Sequence, residues 1–157
     1  HQSDWETFYL LTMGLPVSTV LKRELLYIPF FGWALAMLNP IAIDRKRKTN
    51  ALKQLSQQGC ERLNAGISVV IFPEGTRCPP GRLGSCTKGA AMLAHQAGVP
   101  ILPIVQNSGR LSTPRKWLKQ AGKVEVRIGQ PISPDAPTKE MHEQMVGWMT
   151  ENLAEIS

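Results

Sequence analysis

The segment 67–72, Ile-Ser-Val-Val-Ile-Phe, limits the possible folds of this chain more than any other part of the sequence. It is mostly apolar, rich in β-branched residues and bounded by Gly66 and Pro73, a pattern typical of a strand buried on both faces of a sheet. Segments 101–105 and 124–128 are similar and also predict buried strands. A sheet of this kind needs helices to cover it, so we expect helical segments between the strands.

Helical patterns do alternate with these strands. Apolar spacing, capping residues and chain breakers predict helices over residues 5–15, 31–38, 49–63, 89–96 and 141–156, with further extended segments at 17–21 and 41–43. This order predicts an α/β protein with a central mixed, largely parallel sheet flanked by helices. The length of 157 residues and the 43% hydrophobic content fit one domain, and we therefore predict a single domain over residues 1–157.

Charge is distributed unevenly along the chain. The net charge is +3 over residues 1–53, +7 over 54–132 and −4 over 133–157, for a total of +6. The positive middle region can attract phosphates, acidic lipid headgroups, an acidic protein or nucleic acid. Its basic residues are scattered, without interleaved aromatic residues or a recognition motif, so we expect no nucleic-acid partner.

The cysteine and histidine positions suggest neither a metal site nor a disulfide framework. The three cysteines, Cys60, Cys78 and Cys86, include no C-x-x-C pair, which favours a reducing compartment. His95 and His142 lie in predicted helices without a ligand-type partner at metal spacing. We therefore expect structural or surface roles for these two histidines.

Two apolar segments raise the question of a membrane. Residues 8–21 and 28–43 are rich in large apolar side chains, but glycine, proline and asparagine residues interrupt both. A spanning helix needs about 20 mainly apolar residues, so each segment is expected in the core or on a bilayer surface. The chain opens without Met, and we expect a fragment truncated just before its catalytic motif, with weak or absent activity by itself.

His1 and Glu6 are the first candidates for chemistry. On one continuous helix they would point about 140° apart, so they can meet only if His1 lies in the turn before the helix. Ser3 and Asp4 are residue types that favour such a turn. A carboxylate bound to one imidazole nitrogen fixes the tautomer and lets the other nitrogen accept a proton. An exposed histidine beside a helix-capping carboxylate is the alternative.

The second candidate is the segment 72–77, Phe-Pro-Glu-Gly-Thr-Arg, directly after the predicted strand. Gly75 permits a tight turn, Arg77 offers a planar fork for phosphate, and Glu74 can accept a hydrogen bond from a hydroxyl or hold Arg77 in place. A turn with solvated side chains is the alternative. The segment 99–103, Val-Pro-Ile-Leu-Pro, by itself predicts the edge of a strand and no chemistry.

Together these segments resemble the glycerophospholipid acyltransferase family, and in particular its bacterial lysophosphatidate acyltransferases. The family's His-x4-Asp block is similar to residues 1–6, with Glu6 in the last place, and its Ile-Asp-Arg block is similar to 39–45. The Phe-Pro-Glu-Gly-Thr-Arg block matches 72–77, and Val-Pro-x-x-Pro matches 99–103. Asp4 is also acidic but lies at the wrong spacing for the motif, so we favour Glu6 as the partner of His1.

The resemblance implies a layered acyltransferase fold and an enzyme that moves a fatty acyl group to the sn-2 hydroxyl of 1-acylglycerol-3-phosphate, forming phosphatidate. His1 and Glu6 would be catalytic. The residues implied for substrate binding, above all for the acceptor's phosphate, are Lys22, Glu74, Gly75, Thr76, Arg77 and Lys88. The alternative for Lys22 and Lys88 is a solvated lysine.

The resemblance also implies partners and a location. The acyl donor would be acyl-CoA or acyl-carrier protein, with no cofactor and no metal, and the enzyme would work at the cytoplasmic face of the bacterial inner membrane. The basic run at 45–48 could touch anionic headgroups there. Three alternatives stay open: an acyltransferase for another lysolipid, a thioester hydrolase, and a non-catalytic module that binds anionic membranes.

Overall fold

The computed structural model describes residues 1–3, 5–12, 14–44, 48–111 and 120–156. The chain divides into two compact units, one formed by Gly14–Ile71 and the other by His1–Met13 together with Phe72–Ser157. In chain order the elements are α1 (Trp5–Thr12), β1 (Val17–Lys22), a 3-10 helix (Arg23–Tyr27), α2 (Phe31–Met37), β2 (Ile41–Ile43), α3 (Lys48–Asn64), β3 (Ser68–Val70), α4 (Gly89–Ala97), β4 (Ile104–Gln106), a second 3-10 helix (Ser108–Arg110), β5 (Val126–Ile128) and α5 (Thr138–Glu155). A single domain over the whole chain stays a prediction.

The unit Gly14–Ile71 is built on a three-stranded sheet in the order β2-β1-β3. Both pairings are parallel, with Val20 opposite Ile41 and Ser18 opposite Val69. Helix α3 packs against β2 and β3, and its Leu55 is buried together with Val20 and Ile41. Burying each such side chain contributes about 1.5–3 kcal/mol, so this small apolar centre holds the helix on the sheet.

Strand β3 corrects one expectation. The segment 67–72 was expected to form a strand buried on both faces, whereas β3 covers only Ser68–Val70, with an exposed Ser68 and half-buried valines. The reason is its position, since β3 pairs with β1 on one side and is an edge strand of this sheet. An apolar run by itself does not distinguish an edge strand from a central strand.

The unit formed by the two ends of the chain has its own core. Four side chains on one face of α5 are buried at a spacing of four residues, namely Met141, Met145, Met149 and Leu153. They pack against Ala91 and Ala94 of α4 and against Val105 of β4. The predicted amphipathic helix over 141–156 is thereby confirmed, although it begins earlier, at Thr138.

The strands of this unit are shorter than expected and form a separate sheet. Strand β4 pairs with β5 in antiparallel fashion, with Val105 opposite Arg127. The expected strand over 101–105 begins only at Ile104, because Pro103 has no N–H for the ladder, and Ile101 forms an isolated bridge with Ile132. The expected strand over 124–128 likewise begins at Val126. The described strands therefore form a parallel sheet and an antiparallel pair.

None of the helices in the described parts of the chain combines the length and the apolar character that a membrane-spanning helix requires.

Candidate active site

His1 and Glu6 are in direct contact. Helix α1 begins at Trp5, so His1 lies in the turn before the helix and Glu6 in its first turn, as the sequence argument requires. The imidazole Nδ1 of His1 contacts Glu6 Oε1. The His1 side chain is 19% exposed and that of Glu6 is 5% exposed. The carboxylate of Glu6 is therefore shielded from solvent, while the imidazole of His1 remains partly accessible to solvent.

Glu6 is held by the chain that immediately precedes it. The backbone N–H of Gln2 donates to Oε1 at 2.9 Å, and that of Ser3 donates to Oε2 at 3.1 Å. The Ser3 hydroxyl donates to Oε2 at 2.8 Å and also accepts from the Trp5 N–H. A serine followed three residues later by a glutamate is the capping-box pattern. The Glu6 side chain, which is one methylene longer than the Asp of the family motif, therefore reaches back over the turn and contacts His1.

Two side chains about a hundred residues away complete the surroundings of Glu6. Gln106, at the end of β4, donates from Nε2 to Oε2 at 3.2 Å, and the Ser108 hydroxyl lies 3.3 Å from the same oxygen. Ser108 also lies 2.5 Å from the Ser3 hydroxyl oxygen. The sequence argument missed both residues. The one signal was their position directly after a predicted strand, where site residues are common.

The contact with Glu6 selects the tautomer of a neutral His1 imidazole. An ionised carboxylate only accepts hydrogen bonds, so the neutral His1 ring must carry its proton on Nδ1, which faces Glu6. Nε2 is then the nitrogen that can accept a proton. The ring also stacks on Phe72, with centroids 4.4 Å apart and planes inclined by 27°. The His1 ring is thus held in a defined orientation, as a general base requires.

Glu74, in the segment 72–77, connects that segment to His1. Its Oε2 accepts from the backbone nitrogen of His1 at 2.5 Å, and its Oε1 accepts from the Gly84 N–H at 2.7 Å. The Cys78 N–H donates in turn to the His1 carbonyl oxygen at 2.9 Å. Gly75 has a φ of 68°, a left-handed conformation that glycine adopts without strain. The turn at 73–76 therefore directs Glu74 towards the main chain of His1.

Two cysteines lie on the loop that Glu74 holds. Burial raises the pKa of the Cys78 thiol, and its hydrogen bond to the Glu74 carboxylate raises it further. Burial also raises the pKa of the Cys86 thiol, with a second contribution from the negative charge of Glu74. A thiol with a raised pKa is a poor nucleophile at neutral pH. Both thiols are therefore weaker nucleophiles at neutral pH than an unperturbed cysteine.

The predicted phosphate-binding residues are at the surface. Thr76, Arg77 and Lys88 are exposed, and Lys88 immediately precedes α4. Lys22 is also exposed, at the end of β1 in the unit Gly14–Ile71. Their roles in substrate binding, like those of Glu74 and Gly75, stay predictions.

His95 is exposed, and its Nδ1 lies 2.9 Å from the Pro134 carbonyl oxygen. Within the described ranges, no three His, Cys, Asp or Glu side chains are grouped as a metal site would require. Asp4, the rival partner of His1, and residues 45–47 of the basic run lie outside the described residues.

Fold and site together define an α/β protein with a histidine–carboxylate pair at the start of its first helix, which is equipment for general-base catalysis. The chain belongs to the Acyltransferase family, whose family model matches residues 1–107. That range includes His1, Glu6, the segment 72–77 and the segment 99–103.

Curated relatives extend the similarity over the rest of the chain. The chain is 48% identical to the 1-acyl-sn-glycerol-3-phosphate acyltransferase of Pseudomonas aeruginosa, over 100% of this chain and 63% of that protein. It is 34% identical to the yeast enzyme of the same name, from Saccharomyces cerevisiae, over 99% of this chain and 54% of that protein. The chain therefore spans less than two thirds of the length of these relatives.

A solved structure confirms the fold. The crystal structure of the 1-acyl-sn-glycerophosphate (LPA) acyltransferase from Thermotoga maritima matches with a TM-score of 0.80 and 28% identity, over 99% of this chain and 63% of that one. The predicted α/β acyltransferase fold is thereby confirmed.

Proposed function

We propose that this chain carries the catalytic centre of an acyltransferase that moves a fatty acyl group from an acyl thioester to the sn-2 hydroxyl of 1-acylglycerol-3-phosphate, forming phosphatidate. The contact of His1 Nδ1 with the buried Glu6 carries this proposal. The names of the relatives support the choice of acceptor. Another lysolipid acceptor and water are the competing acceptors, because the same base would activate any hydroxyl.

In the proposed reaction, His1 Nε2 takes the proton of the sn-2 hydroxyl as its oxygen attacks the thioester carbonyl. The tetrahedral intermediate collapses, the C–S bond breaks, and the departing thiolate takes the proton from the imidazolium. Glu6 stabilises the imidazolium in between. General-base catalysis of this kind contributes about 10²- to 10⁴-fold to the rate. The thioester is already an activated acyl donor, and we propose that no cofactor takes part.

The acceptor's phosphate would be bound by cationic side chains. Arg77 follows the turn that contains Glu74, and its guanidinium can bind a phosphate through two parallel hydrogen bonds. Lys22 and Lys88 would supply further positive charge, and Gly75 and Thr76 would shape the turn. We expect Arg77→Ala to raise the KM for the acceptor much more than the KM for the donor.

We further propose acyl-CoA or acyl-carrier protein as the donor, and the cytoplasmic face of the bacterial inner membrane as the place of work. Both donors are acidic, which suits a protein with a net charge of +6. The acceptor and the product are membrane lipids, so an enzyme that uses them must reach a bilayer surface.

The test is product formation by a form of the enzyme extended upstream of His1. The enzyme is incubated with acyl-CoA or acyl-carrier protein and with lysophosphatidate, other lysolipids or no acceptor. We expect phosphatidate from lysophosphatidate, about 10²- to 10⁴-fold slower in His1→Ala, and an unchanged rate in the matched control His95→Ala. An unchanged rate in His1→Ala would contradict the role of His1, and thioester loss without acceptor would indicate a hydrolase.

A further inference from the structure

The unit Gly14–Ile71 presents a concentrated apolar surface to solvent. Tyr27, Phe30, Trp33 and Met37 are 70%, 79%, 63% and 85% exposed. These four residues, here called the aromatic surface, lie on the end of the first 3-10 helix, on α2 and on the turn between them. Ile28, Phe31 and Leu38 around them are also exposed. Single exposed apolar residues are ordinary, but a contiguous group of this kind marks an interaction site.

Tight local packing holds the aromatic surface in shape. A Cβ added at Gly32 would lie 2.3 Å from the Leu26 carbonyl oxygen, so the backbones of α2 and the 3-10 helix touch. Phe30 adopts a left-handed φ of 62°, which is uncommon for a bulky residue. Its ring meets that of Trp33 edge to face, with centroids 5.2 Å apart. The aromatic side chains are thus exposed by a folded segment.

The charge around the aromatic surface has one dominant sign. Residues 25–43 contain no charged side chain, and the three residues before them are the exposed Lys22 and Arg23 and the half-buried Glu24. The unit Gly14–Ile71 contains eight Lys or Arg against three Asp or Glu, so it carries +5 of the chain's net charge of +6. An uncharged apolar surface on a basic unit is complementary to an anionic lipid surface.

We propose that the aromatic surface is the site at which the protein docks on an anionic phospholipid bilayer. This inference rests on the proposed function, because it names the surface through which an enzyme of membrane lipids reaches its acceptor. Trp and Tyr side chains prefer the boundary between headgroups and acyl chains, where the apolar ring is buried and its polar group stays hydrated. Phe30 and Met37 would enter the acyl region, and Lys22 and Arg23 would lie near the lipid phosphates.

A bilayer fits this surface better than a protein partner does. The surface combines an uncharged apolar centre with the exposed cations Lys22 and Arg23 beside it. At an anionic bilayer, apolar burial and the attraction of cationic side chains to the headgroups add to one another.

Binding of the 157-residue chain to vesicles tests this proposal without any acyl substrate. The vesicles contain phosphatidylcholine alone or phosphatidylcholine with about 30 mol % phosphatidylglycerol. The variant Phe30→Ala/Trp33→Ala/Met37→Ala is compared with Met92→Ala/Leu102→Ala/Ile128→Ala. The second variant removes apolar residues that are also exposed but lie in the other unit.

We expect the chain to bind the anionic vesicles more tightly than the neutral ones. The first variant should bind them at least about 100-fold more weakly, while the second should bind like the wild type. Circular dichroism and the melting temperature monitor folding, and the single change Trp33→Phe provides a second readout. Quenching of tryptophan fluorescence by brominated lipid should fall in Trp33→Phe while vesicle binding persists.

The opposite results are equally clear. No binding by the wild-type chain, or equal losses in the two triple variants, would overturn the proposal. A dimer that the first variant abolishes, without vesicle binding, would assign the surface to a second copy of the chain. The variant His1→Ala separates this proposal from the proposed function, because it should lose acyltransferase activity but keep vesicle binding. The first variant, in turn, should retain turnover of a short-chain, water-soluble lysophosphatidate in the upstream-extended form.

Discussion

Replacing Glu6 by Gln should abolish most of the activity while leaving the shape of the side chain intact. The carboxylate of Glu6 contacts His1 Nδ1 and is buried. An amide of the same size keeps the oxygen that faces His1 but loses the negative charge that, in the proposed reaction, stabilises the imidazolium in the transition state. The variant therefore separates the charge of Glu6 from its volume.

The magnitude follows from the geometry. Two unit charges about 4 Å apart interact by about 4 kcal/mol at the effective dielectric constant of about 20 that suits most protein sites. Because about 1.4 kcal/mol changes a rate tenfold, kcat should fall about 10³-fold. The new NH₂ group would also face two donors, the Ser3 N–H and Gln106 Nε2. A buried mismatch costs about 1–3 kcal/mol, so the free energy of unfolding should fall too.

The assay is acceptor-dependent thiol release by the upstream-extended enzyme, with thermal unfolding measured beside it. A loss of about 2 kcal/mol should lower Tm by about 4–8 °C in a chain of this size. Glu143→Gln is the matched control, because Glu143 is exposed on α5 and lies 3.8 Å from Lys139 in an i,i+4 pair. It should change kcat and Tm little.

The activity of folded Glu6→Gln decides whether the charge of Glu6 matters for catalysis. If Glu6→Gln retained the wild-type kcat at a temperature where circular dichroism shows it folded, the charge of Glu6 would have no part in catalysis. Glu6→Asp adds a second check, since it keeps the charge but shortens the reach by one methylene. We expect a smaller loss than in Glu6→Gln, because the shorter carboxylate still bears the charge that His1 needs.

Three further predictions concern the surroundings of the site. Ser108→Ala removes a hydroxyl 3.3 Å from Glu6 Oε2, and we expect about a tenfold lower kcat with unchanged KM values, measured by thiol release, because about 1–1.5 kcal/mol is lost; an unchanged kcat would contradict this. Gly109→Ala places a Cβ 2.7 Å from Gln2 and should destabilise the protein by about 1–3 kcal/mol. Gly147→Ala on α5 has nothing within 4 Å of the new Cβ and should stabilise the protein by about 0.5–1 kcal/mol. Chemical denaturation measures both changes in the free energy of unfolding. The raised thiol pKa values of Cys78 and Cys86 keep both thiols protonated at neutral pH. Their alkylation by iodoacetamide, followed by mass spectrometry, should therefore be slower than that of a small-molecule thiol at pH 7.5 and should still rise above pH 9.0. Equal rates at pH 7.5 would be inconsistent with this.

The sequence predicts the parts of the site that are local. His1 and Glu6 are five positions apart, and the turn before α1 that brings them together is marked by capping residues. Gln106 and Ser108 could not be predicted in the same way. They approach Glu6 only because β4 ends beside the chain's first residues, and that proximity depends on tertiary packing.

The fold shows the same distinction. The helical stripe of α5 is visible in the sequence because its period is local. The burial of β3 cannot be seen in the sequence, because it depends on how many strands flank β3. The order β2-β1-β3 leaves β3 at the edge, although its residues have the composition of a central strand.

Stoichiometry is the sharpest test of direct acyl transfer to a lipid hydroxyl by the His1–Glu6 pair. Thiol released and phosphatidate formed are measured in one reaction of the upstream-extended enzyme with acyl-CoA and lysophosphatidate, and again with His1→Ala. We expect one phosphatidate for each thiol, no release without acceptor, and loss of both products in the variant. Thiol release that exceeds phosphatidate formation, or that survives in His1→Ala, would contradict this expectation.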